Sequence, residues 1–274
     1  MSDPLNQVLV HLDAADACAD RLAVGRQLVR AHGGALSVLY AATPAYLEPG
    51  PDGMPGAPYN RVDDERRAKA RAAFDRVMAQ PGPAAEWAQA DTYPLAAAFA
   101  RHGQYADLLV LGQRNPADPN AGGVPADFPE DVLHATGRAG LIVPYIGWNR
   151  PVGRTVAIAW RESPEAVRAV AAALPLLRKA AMTHVLTWRS GREADGAGER
   201  LARYLAAHGV AARVHDGGRA GAPIGELLLS RVADVGADLL VMGCFGHSRA
   251  REWLLGGASR TLLAAMTVPV LMAH

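Results

Sequence analysis

Apolar and polar residues follow one another along this chain in short blocks. The first block is Val8-Leu9-Val10-His11-Leu12, too short for a helix and almost unbroken, as a strand buried on both faces requires. A polar turn around Asp13 and Asp16 comes next. Cys18 to Ala31 is then rich in Ala, Leu and Arg, side chains that lose little freedom in a helix, and Gly33-Gly34 supplies its end. Ala35 to Tyr40 reads as a second strand. Strand, helix and strand joined this tightly form a βαβ unit, whose two strands run parallel.

The same order restarts near residue 150. Thr155-Val156-Ala157-Ile158-Ala159 is strand-like, and Ser163-Pro164-Glu165 offers an N-cap hydroxyl, a proline at the first helical position and an early acid. Val167, Val170, Ala171, Leu174 and Leu177 follow at the spacing of one helical face, with Pro175 placed to kink the last turn. Val185-Leu186-Thr187-Trp188 is the matching second strand. Later, Ala106-Asp107-Leu108-Leu109-Val110-Leu111-Gly112 returns as Ala237-Asp238-Leu239-Leu240-Val241-Met242-Gly243. A helix is expected before each, over Pro94 to Arg101 and Ile224 to Val235. Each copy closes on a Val-Pro strand, Leu141-Ile142-Val143-Pro144 or Val268-Pro269-Val270-Leu271.

Duplication accounts for this pattern. Continuous apolar strands alternating with amphipathic helices need helices on both sheet faces. The fold class is therefore α/β, with two doubly wound, Rossmann-like parallel-sheet domains in tandem, residues 1–148 and 149–274, joined near Gly147 to Gly153. Thr43 to Asn60 has no counterpart in the second copy. Its prolines and glycines oppose regular structure, so it is expected to be a long surface loop, either a mobile insertion or a lid or partner contact.

Composition narrows the function. Among 274 residues, Lys+Arg (28) nearly balances Asp+Glu (27), so no basic field draws in nucleic acid or a membrane surface. No apolar run reaches the roughly eighteen residues of a membrane span, and Met1-Ser2-Asp3-Pro4-Leu5 lacks the features of a secretory leader. A soluble, cytoplasmic protein is expected. Cys18 and Cys244 are the only cysteines, too few for a disulfide framework or a thiolate metal site, and Cys18 reads as a core residue. The histidines and acids show no metal-binding spacing, so no metal is expected. No Gly-x-Ser-x-Gly elbow occurs either, and no catalytic residue is assigned.

The candidate chemistry follows the strand that ends at Met242. The chain continues Gly243-Cys244-Phe245-Gly246-His247-Ser248-Arg249-Ala250-Arg251-Glu252-Trp253-Leu254-Leu255-Gly256-Gly257-Ala258-Ser259. At the carboxyl end of a parallel strand, glycines let main-chain N–H groups converge on an anion. The helix expected to start after Gly257 adds a partial positive charge, and Ser259 is a cap or a hydroxyl donor. Arg249 and Arg251 are either phosphate partners or solvated charges, and His247 either a phosphate donor or a surface residue. Trp160, Trp188 and Trp253 either wall the site or pack.

The spacing Gly243, Gly246, Gly256, then a hydroxyl-bearing helix start and a Val-Pro-Val strand, resembles the nucleotide loop of ATP-binding universal stress proteins. The resemblance covers most of the chain as two such domains. It implies an adenine nucleotide alpha hydrolase-like variant of the Rossmann-like fold, a stress-response role, and ATP or another adenine nucleotide held by Met242, Gly243, Gly246, His247, Gly256, Gly257, Ala258 and Ser259. It also places the base near Trp188 and implies pairing through the closing strands, so Ile142 and Val270 are expected to approach each other in an internal pseudo-dimer, with a homodimer also open.

Two departures weaken the match. The family usually has Ser or Thr directly after the third glycine, where this chain has Gly257, and an Asp after the first strand, where the second copy has Trp160-Arg161-Glu162. The first copy reverses this: Asp13 stands in place, but Gly112-Gln113-Arg114-Asn115-Pro116 and the stretch to Pro125 do not repeat the loop. Prolines offer no N–H to a phosphate, so that copy is expected to bind no ATP. A scaffold of the same fold without nucleotide is the competing expectation.

Overall fold

The structure is a computed structural model that describes residues 5–47, 59–90, 92–118, 120, 123–189, 196–244 and 258–274. The chain forms two compact units. The first comprises Leu5–Arg138 and Val143–Asn149, and the second Ala139–Ile142 and Arg150–His274.

In the first unit the order is β1 (Gln7–Leu12), α1 (Cys18–His32), β2 (Ala35–Tyr40), a 3-10 turn (Ala45–Leu47), α2 (Tyr59–Met78), β3 (Ala85–Gln89), α3 (Leu95–Gly103), β4 (Leu108–Gly112) and α4 (Phe128–Thr136). The strands lie in the order β3-β2-β1-β4, all parallel, with Val10 opposite Val38 on one side and Val110 on the other. β1 and β4 are central and wholly apolar at their cores, so each fully buried Leu or Val contributes about 2 kcal/mol. Gly25 lets α1 lie against β1: a Cβ there would fall 2.4 Å from Val10 Cγ2. The helix ends at Gly33, which takes the left-handed conformation at φ 76° and returns its N–H to Val29 O.

The expected loop from Thr43 to Asn60 is shorter than the sequence suggested. Ala45–Leu47 makes a helical turn and α2 begins at Tyr59, while residues 48–58 lie outside those described. Past Pro58 the sequence becomes Arg- and Asp-rich with charges three and four apart, such as Arg61 with Glu65 and Arg71 with Asp75, which supports a solvent-facing helix. Arg26 of α1 closes the far end of α2, donating to the carbonyls of Val77, Gln80 and Pro83.

In the second unit the order is β6 (Thr155–Ala159), α5 (Pro164–Leu177), β7 (Met182–Arg189), α6 (Ala197–Ala207), β8 (Arg213–Arg219), α7 (Ile224–Asp234), β9 (Leu239–Gly243), α8 (Ala258–Ala265) and β10 (Val270–Ala273). The strands run β10-β9-β6-β7-β8 in parallel. Beyond β10 comes β5 (Gly140–Val143), whose residues 140–142 pair antiparallel with it and place Ile142 opposite Val270. The closing strand of the first copy thus completes the sheet of the second. Both residues are fully buried, and the pairing covers an edge that would otherwise leave backbone donors open.

Helix α5 starts as expected, with Ser163 Oγ accepting from Ala166 N at 3.2 Å. Its buried face is rotated from the expected one. Ala166, Ala169, Val170, Ala173, Leu174 and Leu177 point inward, whereas Val167 is 55% exposed and Ala171 is also exposed. Small alanines take the inner positions because this helix presses closely on the sheet, as Gly243 shows below.

Candidate functional site

Both units reverse strand order beside their first strand, between β1 and β4 and between β6 and β9. The crevice outside the carboxyl ends of such strands is where open α/β sheets hold ligands.

In the second unit β6 delivers Trp160-Arg161-Glu162 to this crevice and β9 delivers Met242 and Gly243. Met242 is buried. A Cβ on Gly243 would fall 2.4 Å from Ala166 N and 2.7 Å from the Glu165 carbonyl carbon, so the bare backbone admits the first turn of α5. That packing role is one the sequence reading did not assign to Gly243. Cys244 follows, buried, with its N–H on Ala273 O at 3.0 Å. Ala258 opens α8, and Ser259 in its first turn is buried. Gly246, His247, Gly256 and Gly257 lie outside the described residues, as do Arg249, Arg251 and Trp253. The described part of the expected site is thus its two ends, the tip of β9 and the start of α8.

Trp160 stands where the first unit has Asp13. Its backbone N–H bonds Leu186 O at 2.9 Å, while its buried indole Nε1 has no hydrogen-bond partner. Glu162 is tied to Arg200 of α6 at 2.8 Å on the surface. Trp188 packs: its indole lies on Gly217 of β8, where a Cβ would be 2.1 Å from Nε1. Beside it on the same two strands, His184 Nδ1 and His215 Nε2 are 2.8 Å apart. Burial, then the charges of His215 and Arg213, hold His184 below the usual histidine range. This pair escaped sequence reading because β8, rich in charge and glycine, carries no apolar strand signal.

The first unit's crevice is organised differently. Asp13 and Arg21 are both buried, and Arg21 Nη2 donates to Asp13 Oδ1 at 2.5 Å. Asp13 Oδ1 also accepts from Ala15 N at 3.0 Å. Burial alone would raise the Asp13 carboxyl, but the Arg21 charge and these bonds leave it below its ordinary value. His11 lies behind, its Nε2 donating to Ala41 O at 2.8 Å and its Nδ1 3.8 Å from Asp13 Oδ2. A ring that donates from Nε2 and is pushed down to about 4 by burial is neutral at pH 7. Cys18 is buried and burial raises its thiol, in keeping with a core residue.

These groups border a small recess of about 30 Å³ whose wall includes Asp16, Gly112, Asn115, Asp118 and Pro125. Arg21 was not singled out in the sequence. It shares a helical face with Cys18, Leu22, Gly25 and Leu28, and an arginine inside an apolar stripe is a legible signal. Among the described residues no group of three or more metal-ligating side chains occurs, and no helix is long and apolar enough to cross a membrane.

A sequence profile of the Universal stress protein family matches residues 154–274. Those residues form a universal stress protein domain. The solved structure of a universal stress protein from Archaeoglobus fulgidus DSM 4304 is similar over 98% of this chain and 96% of that one, with a TM-score of 0.69 at 16% identity. A protein assigned to the universal stress proteins from Pseudomonas aeruginosa UCBPP-PA14 is similar over 97% and 92%, with a TM-score of 0.58 at 14% identity. At such identities the likeness is one of fold, and it extends beyond the matched domain to the first unit. A search of curated protein sequences finds no match.

Proposed function

We propose that the universal stress protein domain at residues 154–274 binds ATP or another adenine nucleotide without classical turnover, and that the protein acts in the cytoplasm in a stress response through occupancy of that site. The observation that carries this reading is the pairing of a switch-point crevice with two helix starts. The N-terminus of α5, capped by Ser163, presses on the tip of β9, and α8 begins after a glycine-spaced segment with Ser259 in its first turn. Helix N-termini and glycine backbone supply N–H groups and positive potential, the two things a phosphate needs. Gly246, His247, Gly256 and Gly257 would complete the cradle, and the unpartnered indole of Trp160 would give the nucleoside a donor where relatives use a carboxylate.

The competing reading is an interaction scaffold, monomeric or homodimeric, that has lost the nucleotide. Trp160 and Gly257 favour it, since each removes a polar side chain that the family offers a ligand. Calorimetric titration with ATP, ADP and AMP, together with mass spectrometry of what co-purifies, separates the two. Saturable binding of one nucleotide supports the first reading, and silence toward all three at millimolar concentration supports the scaffold.

A further inference from the structure

The crevice of the first unit raises a question that its prolines do not answer: why a doubly wound domain should bury an arginine at its switch point. Arg21 is 3% exposed. Removing a guanidinium from water costs several kcal/mol, which is recovered only with well-placed partners. Here Nη2 reaches Asp13 and Nε has no hydrogen-bond partner. Nη1 lies 2.1 Å from the point where a Cβ on Gly112 would stand. The guanidinium therefore rests on bare strand backbone at the carboxyl end of β4, with the carboxylate at the end of β1 as its counter-charge.

We propose that the Arg21 guanidinium is a built-in occupant of the first unit's crevice, tethered where a ligand would sit and engaging both features that would recognise one, the Asp13 carboxylate and the exposed backbone of Gly112. The other carboxylates of the recess are engaged as well. Asp16 pairs with Lys69 at 2.7 Å, and Asp118 accepts from the backbone N–H groups of Asp16 and Asn120. His11 presents its unprotonated Nδ1 toward Asp13 and adds no donor. The Asp13 side chain is 8% exposed and bonded to Arg21 through Oδ1, so a hydroxyl-bearing ligand is kept from this carboxylate while Arg21 is in place. Removing that side chain frees Asp13 to accept from the adjacent hydroxyls of a ribose or from an exocyclic amine, so Arg21 sets which of the two units is open to a nucleoside.

The test is independent of binding in the second unit. Adenosine is titrated into full-length Gly246→Val protein, with and without Arg21→Ala, and into the triple variant that adds Asp13→Asn. The proposal expects no heat from Gly246→Val, saturable binding with a Kd at or below about 1 mM once Arg21→Ala is added, and at least a tenfold loss with Asp13→Asn. A folded Arg21→Ala protein as silent as its parent overturns it, and so does binding unaffected by Asp13→Asn. Where Arg21→Ala does not fold, the ¹⁵Nε–H resonance of Arg21 in the natural chain decides. It should not move with 5 mM adenosine, and a saturable shift means that the occupant is displaced and the proposal fails.

Discussion

Asp238 and Thr155 hold each other by backbone and side chain. The Asp238 N–H donates to Thr155 O at 2.9 Å, and its carboxylate accepts from Thr155 N at 3.1 Å while also receiving the N–H groups of Gly153 and Arg154. Asp107 repeats the arrangement on Gln7, donating to its carbonyl at 2.8 Å and accepting from the N–H groups of Asn6 and Gln7. This shared task explains why Ala-Asp-Leu-Leu-Val is the clearest repeat in the chain: one carboxylate aligns the starts of the two central strands in each unit. Burial holds the Asp238 carboxyl above its ordinary value despite these bonds, so Asp238→Ala should cost only about 1 kcal/mol, chiefly through the N–H groups it leaves unpaired. Asp107→Ala, more exposed, should cost less. Urea unfolding followed by circular dichroism measures both, and equal stability of Asp238→Ala and the natural chain contradicts the assignment.

Gly243 and Gly33 are glycines for different reasons. A Cβ at 243 meets the backbone of Ala166 at 2.4 Å, whereas at 33 it meets nothing within 4 Å and only the positive φ is strained. Gly33→Ala should therefore cost about 1 kcal/mol. Gly243→Ala has to push α5 off the sheet and should cost more, about 1–3 kcal/mol. A reversed order in thermal unfolding would show that α5 does not bear on β9 as described.

Acid should weaken the fold through His11. His11 is held at about 4, below its ordinary 6.5, chiefly by burial, so the unfolded chain takes up that proton first as pH falls. Its contribution is complete above pH 6.5 and is lost progressively toward pH 4, an effect of about 3 kcal/mol at about 1.4 kcal/mol per pH unit. His184, also lowered, acts in the same direction, and the half-buried Asp238, which burial raises, acts against it. Urea midpoints at pH 7.5 and 4.5 should differ clearly, and less so in His11→Gln. A midpoint constant to pH 4.5 rules this out.

Much of the architecture was legible because apolar runs and caps carry it. β2 and β6 have the expected limits, Ser163 caps α5, and the closing-strand expectation led to Ile142 opposite Val270. The rest was hidden for physical reasons. β3 and β8 are edge strands without a fully buried residue, and α2 is a highly charged helix whose buried stripe, Ala70, Ala73, Phe74 and Val77, is short and partly alanine. For α5, periodicity fixed the element but misplaced its face, because alanine in a close helix-sheet contact outweighs the greater hydrophobicity of Val167. In the candidate sites, the sequence marked Asp13 and Gly112 but not their partner, since the side chain that joins them comes from the helix between.

The central claim is that one nucleotide binds, and in the second unit. Calorimetric titration of ATP into three full-length proteins tests it: the natural chain, Gly246→Val and Gly112→Val. The account predicts one site per chain, abolished by Gly246→Val, whose branched side chain blocks backbone approach, and nearly unchanged by Gly112→Val in protein that remains folded. Affinity that survives Gly246→Val and falls with Gly112→Val would place the site in the first unit and contradict the account.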